Sequence, residues 1–190
     1  MTHPIFKEAR SLEDAFFRER DAAFIAESRK REAAKTRKKA LAEASGITNE
    51  VVLDQLVEHD IHAETLAAFS LVPLVEVAWA DGDIPPEERK VLLNAIEEAG
   101  IQKDSVAFQT IKQWMEKRPE PKVMKLWKNY ARALMSELTP EARELIRQTV
   151  LKHARAVANA AGGFLGFSRA SSAEKKVLFA LEEALKIQGE

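Results

Sequence analysis

The chain has 190 residues, enough for one sizeable domain with an appendage or for two small domains, and 46% of them are apolar, so a true hydrophobic core is expected rather than wholesale disorder. A formal net charge of -1 argues against a dedicated nucleic-acid protein, which carries a basic excess. The absence of cysteine removes disulfides, thiolate zinc sites and cysteine nucleophiles, and it fits a reducing compartment.

The chain opens without a secretory signal: Met1 to Arg10 has no apolar h-region, and Lys7, Glu8 and Arg10 follow almost at once. Between Pro4 and Gly46 there is neither glycine nor proline, and Ser11-Leu12-Glu13-Asp14 resembles a capping box with Asp in the Glu position. The spacing predicts one long helix over roughly 5–44, with an apolar stripe of Ile5, Ala9, Leu12, Phe16, Ala23 and Ala26. Beyond Glu27 the stripe thins to alanines. From Arg29 to Lys39 seven Lys or Arg stand against Glu32 alone, with Arg31, Lys35 and Lys38 on one face. The first half can dock on a neighbour and this second half is expected to project, offering those three side chains to a partner or to solvent; residues 1–46 together make a charged N-terminal arm. No aromatic residue interleaves with the basic run, which weakens single-strand nucleic-acid binding.

Compact helices are predicted from Ile47 onward. One follows Thr48 and ends near Asp60; another starts after His62, with Pro73 kinking it or opening a new helix to Ala80. The stretch Phe69 to Ala80 is the most apolar, yet it is about half a membrane-spanning length and holds Pro73 and Glu76, so no transmembrane segment is expected and location is read as cytoplasmic. Pro85-Pro86 restart a helix to Ala99, stopped by Gly100. Asp104 or Ser105 caps the next, to about Lys117. Helices over 121–138 and 140–161 follow, the second opened by Thr139-Pro140. Ser171 or Ser172 caps a last helix over 173–187. No alternating strand pattern occurs, so the fold class is all-α.

An internal repeat stands out. Val77-Ala78-Trp79-Ala80-Asp81-Gly82 aligns with Val157-Ala158-Asn159-Ala160-Ala161-Gly162, and Glu88-Arg89-Lys90-Val91-Leu92 with Glu174-Lys175-Lys176-Val177-Leu178. The first loop, Asp81 to Glu88, reads like the second half of an EF-hand loop: a carboxylate before the turn glycine, an aliphatic two places after it, and a glutamate that closes the shell. Val77 and Trp79 stand where the earlier ligands belong, so the loop needs oxygens from another segment or from water. Without a metal, Asp81 makes an Asp-Gly turn, while Glu87 and Glu88 favour the N-terminal dipole of the next helix.

Ala80-Asp81-Gly82, the aliphatic Ile84 and the helix-borne Glu88 resemble the signature of TerB-like tellurite-resistance proteins, and the amino-terminal domain of the membrane-anchored DjlA co-chaperone has a similar motif. The resemblance covers roughly residues 50–188. It implies a TerB-like helical bundle of two pseudo-repeated hairpins over 47–190, and in some members acidic loop residues that bind a divalent metal. Carried over by position, Asp81, Asp83 and Glu88 are the metal candidates, for calcium, magnesium or zinc. The second copy departs from the pattern, with Ala161 in place of the loop acid and Gly163 opposite Asp83, leaving Glu174 as its only acid.

The insert Gly162 to Arg169 carries Phe164, Leu165 and Phe167, which either plug the bundle or form a partner contact patch. Its glycine spacing matches no dinucleotide or P-loop fingerprint. Trp114, Trp127 and Tyr130, with Met115, Met124 and Leu134, read as inter-helix core. His59 and His62 have no third zinc ligand nearby in sequence. No Ser/His/Asp motif, paired metal histidines or phosphate loop is present, so a non-enzymatic role is expected. Two classes remain: a metal-associated TerB-like domain in stress response or complex scaffolding, and a metal-free protein–protein adaptor. The adaptor would use the N-terminal helix, through which homo-oligomers would also form, and the Phe164–Phe167 loop.

Overall fold

The computed structural model describes the backbone of residues 4–160 and 170–186, with side chains from Arg18 onward. The described residues form helices and no strand: α1 Pro4–Ser45, α2 Glu50–Glu58, α3 Ala63–Ser70, α4 Val72–Ala78, α5 Pro86–Glu98, α6 Val106–Glu116, α7 Pro121–Glu137, α8 Pro140–Ala160 and α9 Ser172–Ala184. The all-α expectation holds. None of the described helices is long and apolar enough to cross a membrane.

Local chemistry sets these boundaries. Proline opens α5, α7 and α8, where its missing N–H would have no intrahelical partner. Asn49, Ser105 and Ser171 cap α2, α6 and α9 by accepting from the N–H three residues on. Gly100 ends α5 at φ +71°, a conformation in which a Cβ would be strained. Pro73 opens α4 rather than bending one helix, and α9 ends at Ala184, short of the expected 187.

The chain divides into two compact units, Met1–Lys39 and Ala40–Glu190. In the first, residues 18–31 of α1 are exposed all round, including Phe24 (73%) and Ile25 (49%). Glu27 pairs with Arg31 at 3.2 Å and Glu32 with Lys35 at 2.8 Å, helical-spacing pairs that support a solvated helix by a few tenths of a kcal/mol each. The boundary differs from the expected one at residue 46. Leu41 is fully buried in the hydrophobic core, so the last turn of α1 belongs to the body and not to the arm.

The second unit is organised around α4, which packs against α3, α5, α6, α7, α8 and α9. Val72, Pro73, Leu74, Val75, Val77 and Ala78 are all buried, which explains why this stretch is the most apolar in the sequence: a helix covered on every side has no polar face to keep. Its one charge, Glu76, is paired with Arg118 at 2.6 Å. Phe69 meets Tyr130 edge to face, ring centroids 5.5 Å apart, and Trp127 and Met115 complete the inter-helix core that the aromatic spacing predicts. Trp114, Met124 and Leu134 pack on its margin.

Candidate functional site

The hairpin α4–loop–α5 and the pair α8/α9 pack on one another, with α4 against α8 and α9 and α5 against α8. Three of the pairs aligned by sequence are buried at both positions, Val77 with Val157, Ala78 with Ala158, and Glu88 with Glu174, whereas Leu92 is buried and Leu178 only partly so. The last pair is unusual. Glu88 and Glu174, each only 4% exposed, are the two buried charged residues of the described chain, and glutamate is almost never buried unless paired.

Both sit in the third position of their helices, where a glutamate reaches back to the N–H of the capping residue. Glu174 does this. Its Oε2 accepts from the Ser171 N–H, while the Glu174 N–H donates to Ser171 Oγ at 3.0 Å, closing a capping box. Glu88 cannot. The capping residue of α5 is Pro85, which has no N–H to give, and Glu88 Oε2 is buried with no hydrogen-bond partner. The same helical position is thus satisfied in one hairpin and orphaned in the other.

The surroundings add negative charge. Burial pushes the Glu88 carboxyl up to about 7, and the carboxylates of Glu174, Asp81, Asp83 and Glu87 add to the rise. Asp81 and Asp83 are exposed on the loop, whose turn is made by Gly82 at φ +103°, and Glu87 is exposed in the first turn of α5. Asp81 Oδ1 accepts from Ser171 Oγ at 2.9 Å, so the first loop is tied directly to the cap of α9. Ile84 packs on the core margin, as its spacing predicts.

Two further side chains fix the hairpin from outside. The Trp79 indole N–H donates to the Trp114 carbonyl at 2.7 Å, and the Arg89 guanidinium donates to the Met115 carbonyl at 3.1 Å. Both acceptors lie in the last turn of α6, whose carbonyls have no intrahelical partner, so the α4–α5 hairpin supplies that helix with its C-terminal cap.

Among the sequence-derived metal candidates, then, Asp81, Asp83 and Glu88 lie in one electrostatic neighbourhood, and Glu174 joins them from the second hairpin. Glu174 is the one acid left in the second copy, and Ser171-x-x-Glu174 is itself a readable capping box. Among the described residues no three His, Asp or Glu side chains are gathered closely enough to hold a metal ion as they stand. The donors present are all oxygens; His153 is turned to Glu98 at 3.0 Å, and His62 stands 3.5 Å from Asp60.

Of the partner candidates, Arg31 and Lys35 are exposed and engaged with their own helix, while Lys38 is half-buried and has an interaction of its own. Phe164, Leu165 and Phe167 lie outside the described residues. No protein-family model matches the chain, and no curated protein or solved structure matches it significantly.

Proposed function

We propose that the protein is a non-enzymatic helical domain that binds a divalent cation between its two hairpins, through Asp81, Asp83 and Glu88 of the first and Glu174 of the second. One observation carries this reading: Glu88 Oε2 is buried, unpartnered and surrounded by carboxylates. A buried acid in such a place needs either a proton or a cation to offset its charge. The donor set is all oxygen, which suits a hard cation such as calcium or magnesium and disfavours zinc, whose sites draw on imidazole or thiolate. The ion takes the place of the Glu88 proton and draws its remaining oxygens from water and from loop carbonyls. The TerB-like motif of Ala80-Asp81-Gly82 and Glu88 supports the same reading and points to stress response or complex scaffolding as its setting.

The test is calorimetry and thermal unfolding at about pH 8, where Glu88 is ionised and free of proton competition. Calcium or magnesium at a hundredfold excess over its dissociation constant stabilises the fold by about 2.7 kcal/mol, read as a rise in melting temperature. No heat and no shift at millimolar metal would reject the site.

A second reading is a protein–protein adaptor acting through α1, and the observation in its favour is the exposure of Phe24 and Ile25 on a charged helix. Truncation separates the two readings. It must stop at Lys39, because Leu41 belongs to the core of the body. Removing residues 1–39 abolishes self-association or partner binding, measured by light scattering and crosslinking, and leaves the cation-dependent melting shift intact. Loss of both together would contradict the separation of arm and site.

A further inference from the structure

We propose that the cation and Ser171, the capping residue of α9, compete for the same carboxylates, so that loading the site opens the capping box of α9. The inference rests on the cation reading and adds a conformational consequence to it.

Ser171 is the hub of the ion-free arrangement. Its hydroxyl donates to Asp81 Oδ1, its N–H donates to Glu174 Oε2, and its Oγ accepts from the Glu174 N–H. Two of the four acids that face the site are therefore engaged by one serine. Glu88, the third, is buried with Oε2 unpartnered, and Asp83 lies exposed on the loop. A hard divalent cation takes six or more oxygens in a shell about 2.0–2.6 Å in radius. No such convergence exists among the described residues. To build it at Glu88, Asp81 and Glu174 must swing from Ser171 toward the ion. That movement breaks both hydrogen bonds that Ser171 donates and opens the capping box of α9. The two hairpins then exchange a serine-mediated link for an ion-mediated one, and the Ser171 N–H is left without its carboxylate acceptor.

This arrangement assigns Ser171 a role opposite to that of a ligand: it holds the site closed against the ion. Replacing it should help binding, whereas replacing a ligand weakens binding. Ser171→Ala is expected to bind calcium or magnesium roughly three- to tenfold more tightly, the equivalent of a hydrogen bond that the ion no longer has to break. Ser171→Thr, which keeps the cap, is expected to retain the native affinity. In the native protein, ion loading should speed hydrogen exchange at the Ser171 amide, whose acceptor moves away, while the Glu174 amide and the interior of α9 stay protected.

Titration calorimetry of the three proteins, with amide exchange on the native one, decides the matter. A native protein that binds the ion with Ser171→Ala unchanged or weaker would overturn the competition while leaving the cation site standing. So would unchanged or slower exchange of the Ser171 amide on loading. Absence of binding in all three proteins would instead overturn the cation reading itself, and the competition with it.

Discussion

Replacing Glu88 by Gln is expected to stabilise the protein at alkaline pH and to flatten its stability profile between about pH 5 and pH 8. The folded state holds the Glu88 carboxyl up to about 7, against 4.5 for a free glutamate. Between those values the folded state binds more protons than the unfolded one, so stability falls as pH rises. The favourable situation is complete below about 4.5, is lost as the pH passes 7, and is absent above it. Ionised Glu88 costs the folded state about 2 kcal/mol, discounting for the solvent that reaches Asp81, Asp83 and Glu87. Glutamine has the shape of the protonated acid and can donate to the neighbouring carboxylates, so it keeps the neutral form at every pH. Urea denaturation at about pH 5 and pH 8 gives the answer. The native protein should lose about 2 kcal/mol between them and the Gln variant much less. Equal losses would mean that Glu88 is not the group that titrates. The variant should also lose the cation-dependent melting shift, since the orphaned oxygen that carries that reading is gone.

A larger loss is expected from Phe69→Ala. The ring is fully buried, belongs to α3 and meets Tyr130 of α7 edge to face. Truncation removes the transfer energy of the ring, leaves a cavity, and ends an aromatic contact that itself contributes about 0.5–1.5 kcal/mol. The sum is about 3–5 kcal/mol, a large part of the stability of a domain of this size, so the midpoint of chemical denaturation should fall steeply. Because α3 also packs on α6, the cavity can spread. A loss below about 1 kcal/mol would mean that the site collapses onto the missing ring, and that the core here is less specified than its burial implies. Phe69→Leu, which keeps most of the volume, should recover more than half of the loss.

Most of the helical layout was legible in the sequence because its boundaries are written in single residues. Pro86, Pro121 and Pro140 open helices, Gly100 closes one, and Asn49, Ser105 and Ser171 cap others, each for a reason confined to one turn of backbone. The end of the arm was less legible. Gly46 is the visible stop signal, yet the unit changes between Lys39 and Ala40, since Leu41 is buried by residues distant in sequence. The proposed cation site was half legible. Asp81, Asp83 and Glu88 could be found because they cluster in one loop and the first turn that follows. The nearness of Glu174 to Glu88 depends on how the helices pack, and the second loop, with Ala161 in place of its acid, carries no local sign of it. The reason Glu88 stands alone was present all along in Pro85, one of two adjacent prolines that sequence reasoning treated only as a helix start. The link from Trp79 to the Trp114 carbonyl spans 35 residues and has no local signature.

That link gives the molecule an optical gauge of its own. Trp79 lies two residues before Asp81, and its half-buried indole packs on the core and donates one hydrogen bond to the end of α6. The chain contains three tryptophans, and Trp127 is sealed in the interior, so a shift in emission on a small displacement of the loop would come from the Trp79–Trp114 pair. The loop that carries the acids is therefore reported on by fluorescence without any label, and the end of α6, which shares its cap between this indole and Arg89, would loosen at the Trp114 carbonyl when the reporter moves.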